Sequence, residues 1–254
     1  MFSKSLTAPA APSFRHSVVP GDRSLPLGGR IAFYGRTLAD YAEVLGFDPD
    51  RLRSRRFLDV AAGPSSFTCE ATLAGAHAIA VDPLYRFRGP ALRERFARDF
   101  ADVAACVSNH RTRFCQSFEK AEAGDSIADR RRRATRRFLL DYRAGVAGGR
   151  YRAAALPQLP FPDAIFDTVL CGHFLFLYEH LFDAAFHRQA CRELLRVCRG
   201  EVRIYPLTRF DGTPSQVLEG LLTELRGEGV TTTVETLASP MLEGADQRLI
   251  LRRA

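Results

Sequence analysis

The stretch FLDVAAGPSSFTCEATLAGAHAIAVD, residues 57 to 82, decides the fold. It begins with a short apolar run, 57–62, and passes through a Gly-Pro-Ser-Ser turn into a helical segment, 66–74. It ends in a second apolar run, 78–82. Two buried strands separated by a helix are typical of a parallel sheet that is covered on both faces. The stretch therefore predicts an α/β fold.

The rest of the chain continues this alternation. Further strand-like apolar runs lie at 150–155, 165–171, 201–207, 230–236 and 248–252. Helical apolar spacing occurs between them at about 181–197 and 215–226. Because about eleven residues without a helical pattern join the last two runs, we predict that these two strands pair antiparallel.

A long insertion follows the second strand. Nearly seventy residues separate Asp82 from the next apolar run, whereas an ordinary crossover uses far fewer. We predict a helical insertion at about 86–149, with helices around 90–107, 112–122 and 127–144. The remaining organisation is simple: residues 1–29 are predicted to be a flexible arm, and 30–254 form one domain that begins with a helix over 30–45.

The formal net charge of +7 belongs to one segment. Residues 127–152 contain nine arginines and two aspartates, which accounts for the whole excess. The run at 130–137 is compatible with RNA phosphates, with an anionic small substrate, or with a plain charged helix. Apolar residues of that helix, Ile127, Ala134, Phe138 and Tyr142, recur on one stripe, which predicts that most of the arginines face solvent.

Several classes of protein are disfavoured by composition. The six cysteines show no paired spacing, so we expect reduced thiols and no metal site. No apolar stretch is long enough to cross a membrane, and the N-terminus lacks the apolar core of a secretory signal. The chain is therefore predicted to be cytoplasmic and without a membrane partner, while its oligomeric state is left open.

Small and acidic residues follow the first two strands, at the sheet edge where ligands bind in such folds. Gly63 permits a tight turn, and Ser65 or Ser66 can cap the next helix and leave its amides free for a ligand. Asp82 follows 19 residues later, a spacing at which a carboxylate meets the ribose hydroxyls of a nucleoside. Together, the turn and the acid predict an adenosine-containing ligand.

From Arg56 to Arg252 the sequence resembles the class I S-adenosylmethionine-dependent methyltransferases. Their first motif, acid-x-Gly-x-Gly-x-Gly, falls on Asp59, Ala61, Gly63 and Ser65, so only the middle glycine is kept. Their second acid corresponds to Asp82, and their LPF motif matches residues 159–161. The resemblance implies a Rossmann-like, mostly parallel seven-stranded sheet of order 3-2-1-4-5-7-6, with helices on both faces and S-adenosylmethionine as the cofactor.

The resemblance also implies which residues bind the cofactor. It assigns Asp59, Ala61, Gly63, Ser65, Asp82, Pro83, Leu156, Cys171 and Gly172 to this role. The acid that often precedes LPF in the family is replaced here by Ala155 and Leu156. Adenine is therefore expected to be held by backbone amides and apolar contact.

Other residues have both a functional and a structural interpretation. His173, after the strand nearest the donor methyl, is the candidate catalytic residue, as a base or an orienting group, but a loop-closing histidine fits equally. Phe174, Phe176 and Tyr178 are candidates for a substrate wall or for the core. Tyr34 and Arg36 either fold over the cofactor, with the arginine on its carboxylate, or lie on an exposed helix face.

The predicted function is methyl transfer to a small-molecule acceptor, since no separate RNA-binding domain is appended. The alternatives are an RNA methyltransferase that uses the basic 130–137 helix and a non-catalytic protein that binds S-adenosylmethionine. A nicotinamide-dependent dehydrogenase is disfavoured because a pyrophosphate needs a G-x-G-x-x-G turn, and Gly63 has no second glycine before Gly75.

Overall fold

A computed structural model describes residues 29–109, 126–238 and 244–253. Its sheet has seven strands: β1 (Arg56–Val60), β2 (His77–Val81), β3 (Tyr151–Arg152), β4 (Phe166–Gly172), β5 (Cys198–Tyr205), β6 (Val230–Thr236) and β7 (Gln247–Arg253). Its helices are α1 (Leu38–Leu45), α2 (Phe67–Leu73), α3 (Gly89–Asn109), α4 (Ile127–Ala147), α5 (Ala184–Val197) and α6 (Leu218–Gly227). None of the helices in the described part of the chain is long and apolar enough to span a membrane.

The strands lie in the order β3-β2-β1-β4-β5-β7-β6, which is the order that the family resemblance implies. Strand β1 is central: Phe57 pairs with Ala78 of β2 on one side and with Thr168 of β4 on the other, and both pairings are parallel. Strand β7 runs antiparallel to both β5 and β6. The predicted fold class and the predicted antiparallel final pair are therefore confirmed.

The two faces of the sheet bury different halves of the core. Successive residues of a strand point to opposite faces. Leu58 and Val60 accordingly join the apolar cluster that includes residues of α5 and α6. Phe57 joins the opposite cluster, which includes residues of α1 and α2. Asp59 points to the same side as Phe57, so a carboxyl group enters an otherwise apolar layer at the end of the central strand.

Helices α3 and α4 lie between β2 and β3 in the chain, where the sequence predicts helices at 90–107 and 127–144. The predicted helix at 112–122 and nearly all of the predicted arm, residues 1–28, lie outside the described residues. Phe138 anchors α4, because its ring packs 5.6 Å from that of Tyr85, 5.1 Å from that of Tyr142 and 5.2 Å from that of Tyr151, measured between ring centroids. The insertion is thus fastened to the edge of the sheet by aromatic packing.

The first helix begins later than the sequence predicts. Periodicity suggests a helix over 30–45, but α1 begins at Leu38 and residues 30–37 have no regular secondary structure. Thr37 and Asp40 form a capping box, in which the Thr37 hydroxyl accepts from the Asp40 amide and the Asp40 carboxylate accepts from the Thr37 amide. Upstream, the backbone at Gly35 lies against Pro64, so close that a Cβ at Gly35 would sit 2.1 Å from the Pro64 carbonyl oxygen. Tertiary contact therefore outweighs the helical periodicity of this segment.

The aromatic anchor of α4 gives a test of how firmly the insertion is packed. Phe138→Ala should lower the free energy of unfolding by about 3 to 5 kcal/mol, because it empties a fully buried site. Leu140→Ala, on the same helix at 78% exposure, is the matched control and should change it by less than about 0.5 kcal/mol. Urea denaturation of both variants provides the measurement. Similar values for the two would show that α4 does not pack on the sheet in this way.

Candidate active site

A hydrogen bond joins the ends of the two strands that the sequence singles out. The Gly63 amide donates to Asp82 Oδ2 at 3.0 Å, and the Leu84 amide donates to Oδ1 at 2.8 Å. Burial raises the pKa of the Asp82 carboxyl to about 6, although both amide donors act to lower it. Gly63 and Ala61 have φ values of +56° and +55°, which give the turn its tight shape. Each Asp82 oxygen retains a lone pair for a further donor.

The N-terminus of α2 is covered by another segment of the protein. The expectation that its amides stay free for a ligand is therefore not met. The Ser66 amide donates to the Arg36 carbonyl at 3.0 Å, and the Phe67 amide donates to Ser65 Oγ at 3.1 Å. Ser65 Oγ donates in turn to the same Arg36 carbonyl at 2.8 Å. Segment 33–37 therefore lies across the turn, and the two amides are occupied because Gly35 lets this segment approach closely.

Asp59 is fully buried beside the turn. Its Oδ1 accepts from the Tyr41 hydroxyl at 3.2 Å, while its Oδ2 has no hydrogen-bond partner. Burial raises the pKa of the carboxyl well above its usual range, and the nearby Asp82 charge acts in the same direction. The site thus contains a fully buried carboxyl group whose neutral form is favoured by burial and whose hydrogen-bonding capacity is incompletely used.

His173 follows β4 directly and adopts a φ of +58°, an uncommon conformation for a residue with a side chain. Its ring lies edge-on to Tyr205 with centroids 4.9 Å apart, and its Nδ1 is buried without a partner. Burial lowers the pKa of the imidazole well below 6.5, and the cations of Arg36 and Arg131 add to this effect. The imidazole is therefore neutral at physiological pH.

Two arginines act electrostatically on His173, and both lie close to the ring of Tyr34. The Arg36 and Arg131 guanidinium carbons each lie 5.8 Å from the ring centroid of Tyr34. Arg36 and Tyr34 do not lie on an exposed helix face, because the helix begins only at Leu38. Sequence reasoning missed Arg131, which is fully buried on α4. Its position on the same helical stripe as Ile127, Ala134 and Phe138 indicates burial. A charged residue is, however, ordinarily expected to face solvent.

The other predicted site residues take different positions. The side chain of Cys171 enters the apolar core, where burial raises the pKa of its thiol to about 12, so only its backbone can reach a ligand. Gly172 lies close to α1, since a Cβ there would sit 3.4 Å from the Tyr41 ring. Pro83 begins a short 3-10 turn after Asp82, and Leu156 is buried. Phe174, Phe176 and Tyr178 are core residues, which favours the structural interpretation of all three.

The LPF segment is fastened to α5 rather than left as a free loop. The Leu159 amide donates to Glu193 Oε1 at 2.6 Å. Arg196 donates to the carbonyls of Leu159 and Phe161 at 3.2 and 2.9 Å, and to Glu193. An acid and a base of one helix thus hold this turn beside the beginning of β4, where Phe161 packs on Phe166.

The unpaired Asp59 oxygen leads to a prediction about stability. Since its folded-state pKa is raised above the unfolded value of about 3.9, Asp59 supports folding at acid pH and loses that contribution as the pH rises toward the folded-state pKa. Asp59→Asn should therefore gain stability relative to wild type by about 1.4 kcal/mol for each pH unit in that window. Urea denaturation at pH 5, 6, 7 and 8 provides the measurement, with the exposed Asp50→Asn as control. A difference that does not vary with pH would contradict a protonated Asp59.

The second prediction concerns the protonation of His173. Its imidazole should stay neutral as the pH falls through 6.5, and Arg36→Gln should raise its pKa because one neighbouring cation is removed. Ring ¹⁵N chemical shifts report both effects, with the exposed His77 as an internal reference. Titration of His173 near 6.5 in the wild-type protein would show that its ring is solvated.

No protein-family model matches the chain. An uncharacterized protein of Methanocaldococcus jannaschii is 29% identical over 221 residues, which cover 86% of this chain and 95% of that protein.

Two solved structures illustrate the structural likeness. The magnesium protoporphyrin IX methyltransferase of Synechocystis, solved with bound SAM, aligns with 85% of this chain and 78% of its own, at 12% identity and a TM-score of 0.47. The 1,6-didemethyltoxoflavin-N1-methyltransferase of Burkholderia thailandensis aligns with 84% of this chain and 74% of its own, at 14% identity and a TM-score of 0.42. On the strand order of its own sheet, the chain has the Rossmann-like fold of the class I S-adenosylmethionine-dependent methyltransferases.

Proposed function

We propose that the protein is an S-adenosylmethionine-dependent methyltransferase that acts on a small-molecule acceptor. The observation that carries this proposal is the link between Gly63 and Asp82 at the carboxyl edge of the sheet. Two amides orient the Asp82 carboxylate, and each of its oxygens keeps a lone pair. These two oxygens are suited to accept from the two hydroxyls of a ribose.

The cofactor would be held by the strand ends and the turns after them. Asp82 accepts from the ribose, and Pro83 and Leu156 contact the adenine. Ala61, Gly63 and Ser65 form the turn against the amino-acid part, and Asp59 lies beneath it. Cys171 and Gly172 contribute backbone groups. When bound, S-adenosylmethionine supplies a methyl group on a sulfonium, a reaction that gains chiefly from the positioning of the acceptor.

The covered start of α2 argues against a dinucleotide. A pyrophosphate needs free amides at the beginning of this helix. Here the Ser66 amide serves the Arg36 carbonyl, and the Phe67 amide serves Ser65. A sulfonium cofactor has no phosphate and makes no such demand. The geometry therefore favours methyl transfer over hydride transfer.

His173 is the residue we propose for proton handling at the acceptor. Its Nδ1 is buried, unpartnered and neutral, which are the properties of a base that takes a proton from a hydroxyl, an amine or another protic nucleophile. An acceptor that needs no deprotonation would be oriented by the same nitrogen. In both cases His173 acts on the acceptor and not on the cofactor.

The arginines of α4 favour a small molecule over RNA as the acceptor. Arg131 is fully buried and pairs with Asp40 at 2.6 Å. Arg132 pairs with Asp129 at 3.1 Å, and Arg137 lies 3.8 Å from Glu70. A surface for RNA needs several arginines that are available for phosphates, with aromatic rings among them. The guanidinium groups of Arg131, Arg132 and Arg137 already face carboxylates, so they are less available for phosphates.

Calorimetric titration with S-adenosylmethionine and S-adenosylhomocysteine tests the proposal. Wild-type protein should bind both, and Asp82→Asn should weaken both by about 1 to 3 kcal/mol, because ribose hydroxyls lose an ionised acceptor. Affinity should also fall as the pH drops below about 6, where Asp82 takes up a proton. The exposed Asp50→Asn is the control and should match wild type.

Three outcomes would contradict parts of the proposal. Absence of binding to wild type would reject the cofactor itself. Unchanged affinity in Asp82→Asn would remove Asp82 from the site. Binding without formation of S-adenosylhomocysteine, when the protein is incubated with S-adenosylmethionine and a fractionated small-molecule extract, would favour the non-catalytic alternative.

A further inference from the structure

Arg36 is a half-buried cation whose guanidinium has few partners among the described residues. Its Nε is buried without a partner, and its Nη1 makes only a long 3.4 Å bond to the Tyr34 carbonyl. Among the ion pairs of the described residues, none includes Arg36. Burial and the neighbouring Arg131 lower the pKa of its guanidinium to about 10. Such a charge destabilises the folded protein unless an anion joins it.

A second cation, Arg131, lies beside it, and the carboxylate of Asp40, which pairs with Arg131, also accepts from other groups. Arg131 Nη1 lies 2.6 Å from Asp40 Oδ2, and Arg130 lies 3.7 Å from Asp40 Oδ1. The same Asp40 oxygen that faces Arg131 accepts the amide and hydroxyl hydrogens of Thr37 at 2.8 Å each. Asp59 makes no ion pair with either arginine, and burial raises the pKa of its carboxyl well above the usual range. Within the described part of the chain, Asp40 therefore interacts with all three arginines, Arg36, Arg130 and Arg131.

Two neutral groups with unused hydrogen-bonding capacity border this charge. The Tyr34 hydroxyl is buried without a partner, and His173 Nδ1 is too. The charges of Arg36 and Arg131 both act on His173, whereas Arg95 is the cation that acts on Asp82. The positive charge thus lies toward the end of β4, where His173 stands, and away from the carboxylate that we assign to the ribose.

We propose that Tyr34, Arg36, Arg131 and His173 form a subsite for an anionic group of the acceptor, a carboxylate or a phosphate. This inference rests on the proposed function and specifies its substrate class as small acids. A guanidinium fork matches either anion with two parallel hydrogen bonds, and the Tyr34 hydroxyl adds a neutral donor. Charge held by Arg36 and Arg131 would place the rest of the acceptor beside the neutral imidazole of His173.

Inorganic phosphate and benzoate are the probes for this subsite. Each is titrated into wild-type protein saturated with S-adenosylhomocysteine, at an ionic strength kept constant with chloride, and the heat of binding is measured. At least one should bind saturably, and Arg36→Gln should weaken that binding about tenfold or more, because a charged hydrogen-bond donor is lost. Arg136→Gln, exposed on the same helix as Arg131, is the matched control and should leave the affinity unchanged.

The carboxylate of the cofactor is the other anion that could bind to Arg36. A comparison of two nucleosides distinguishes this possibility from binding of the acceptor. 5′-Methylthioadenosine lacks the amino-acid part that S-adenosylhomocysteine carries. Arg36→Gln should leave the affinity for both unchanged. A loss confined to S-adenosylhomocysteine would assign Arg36 to the cofactor and overturn the proposal. Failure of both anions to bind the wild-type complex would also overturn it.

A second variant guards against loss of folding. Arg36→Met removes the buried charge and keeps an unbranched side chain, so the free protein should melt at a temperature equal to or above that of wild type. A folded Arg36→Met protein that still binds the anions like wild type would overturn the proposal. The protein could also bind the anions through Arg36 and yet bind neither nucleoside. That result would reject the proposed methyl transfer but would still support an anion-binding site.

Discussion

The hydrogen bond from the Gly63 amide to the Asp82 carboxylate is the constraint on which the rest of the site depends. It joins the ends of β1 and β2, and it forms only because Gly63 turns the chain sharply after β1. The same turn brings Pro64 and Ser65 against segment 33–37. One short contact therefore sets the orientation of a carboxylate and the position of the segment that covers the turn.

Around this constraint, the protein keeps polar atoms that folding alone does not favour. The unpartnered atoms of Asp59, Arg36, Tyr34 and His173 are all buried near the carboxyl edge of the sheet. Each incurs a desolvation cost that an apolar residue would avoid. Conflicts of this kind are expected where a protein is organised for a ligand, because binding supplies the missing partners. Their clustering supports one binding site more strongly than any single residue does.

Helix α4 shows how one charged segment serves two purposes. Its inner stripe places Phe138 in the aromatic cluster and Arg131 against Asp40. Its outer face pairs arginines with acids such as Asp129 and Glu70. The local excess of positive charge is consequently only partly exposed, and its buried part lies beside His173. Part of the basic run therefore belongs to the interior of the protein and not to its surface.

Periodicity and spacing, which are local, were enough to predict the alternation of strands and helices, the antiparallel end of the sheet, and the positions of Gly63 and Asp82 at the ends of the first two strands, whereas the strand order followed from the family resemblance. Tertiary packing, by contrast, determined that α1 begins at Leu38, that the Ser66 amide is occupied, and that Arg131 is fully buried near the half-buried Arg36. The last two residues belong to segments distant in sequence. Whether an arginine faces water or a pocket depends on which distant segment packs on it, and local sequence pattern does not contain that information.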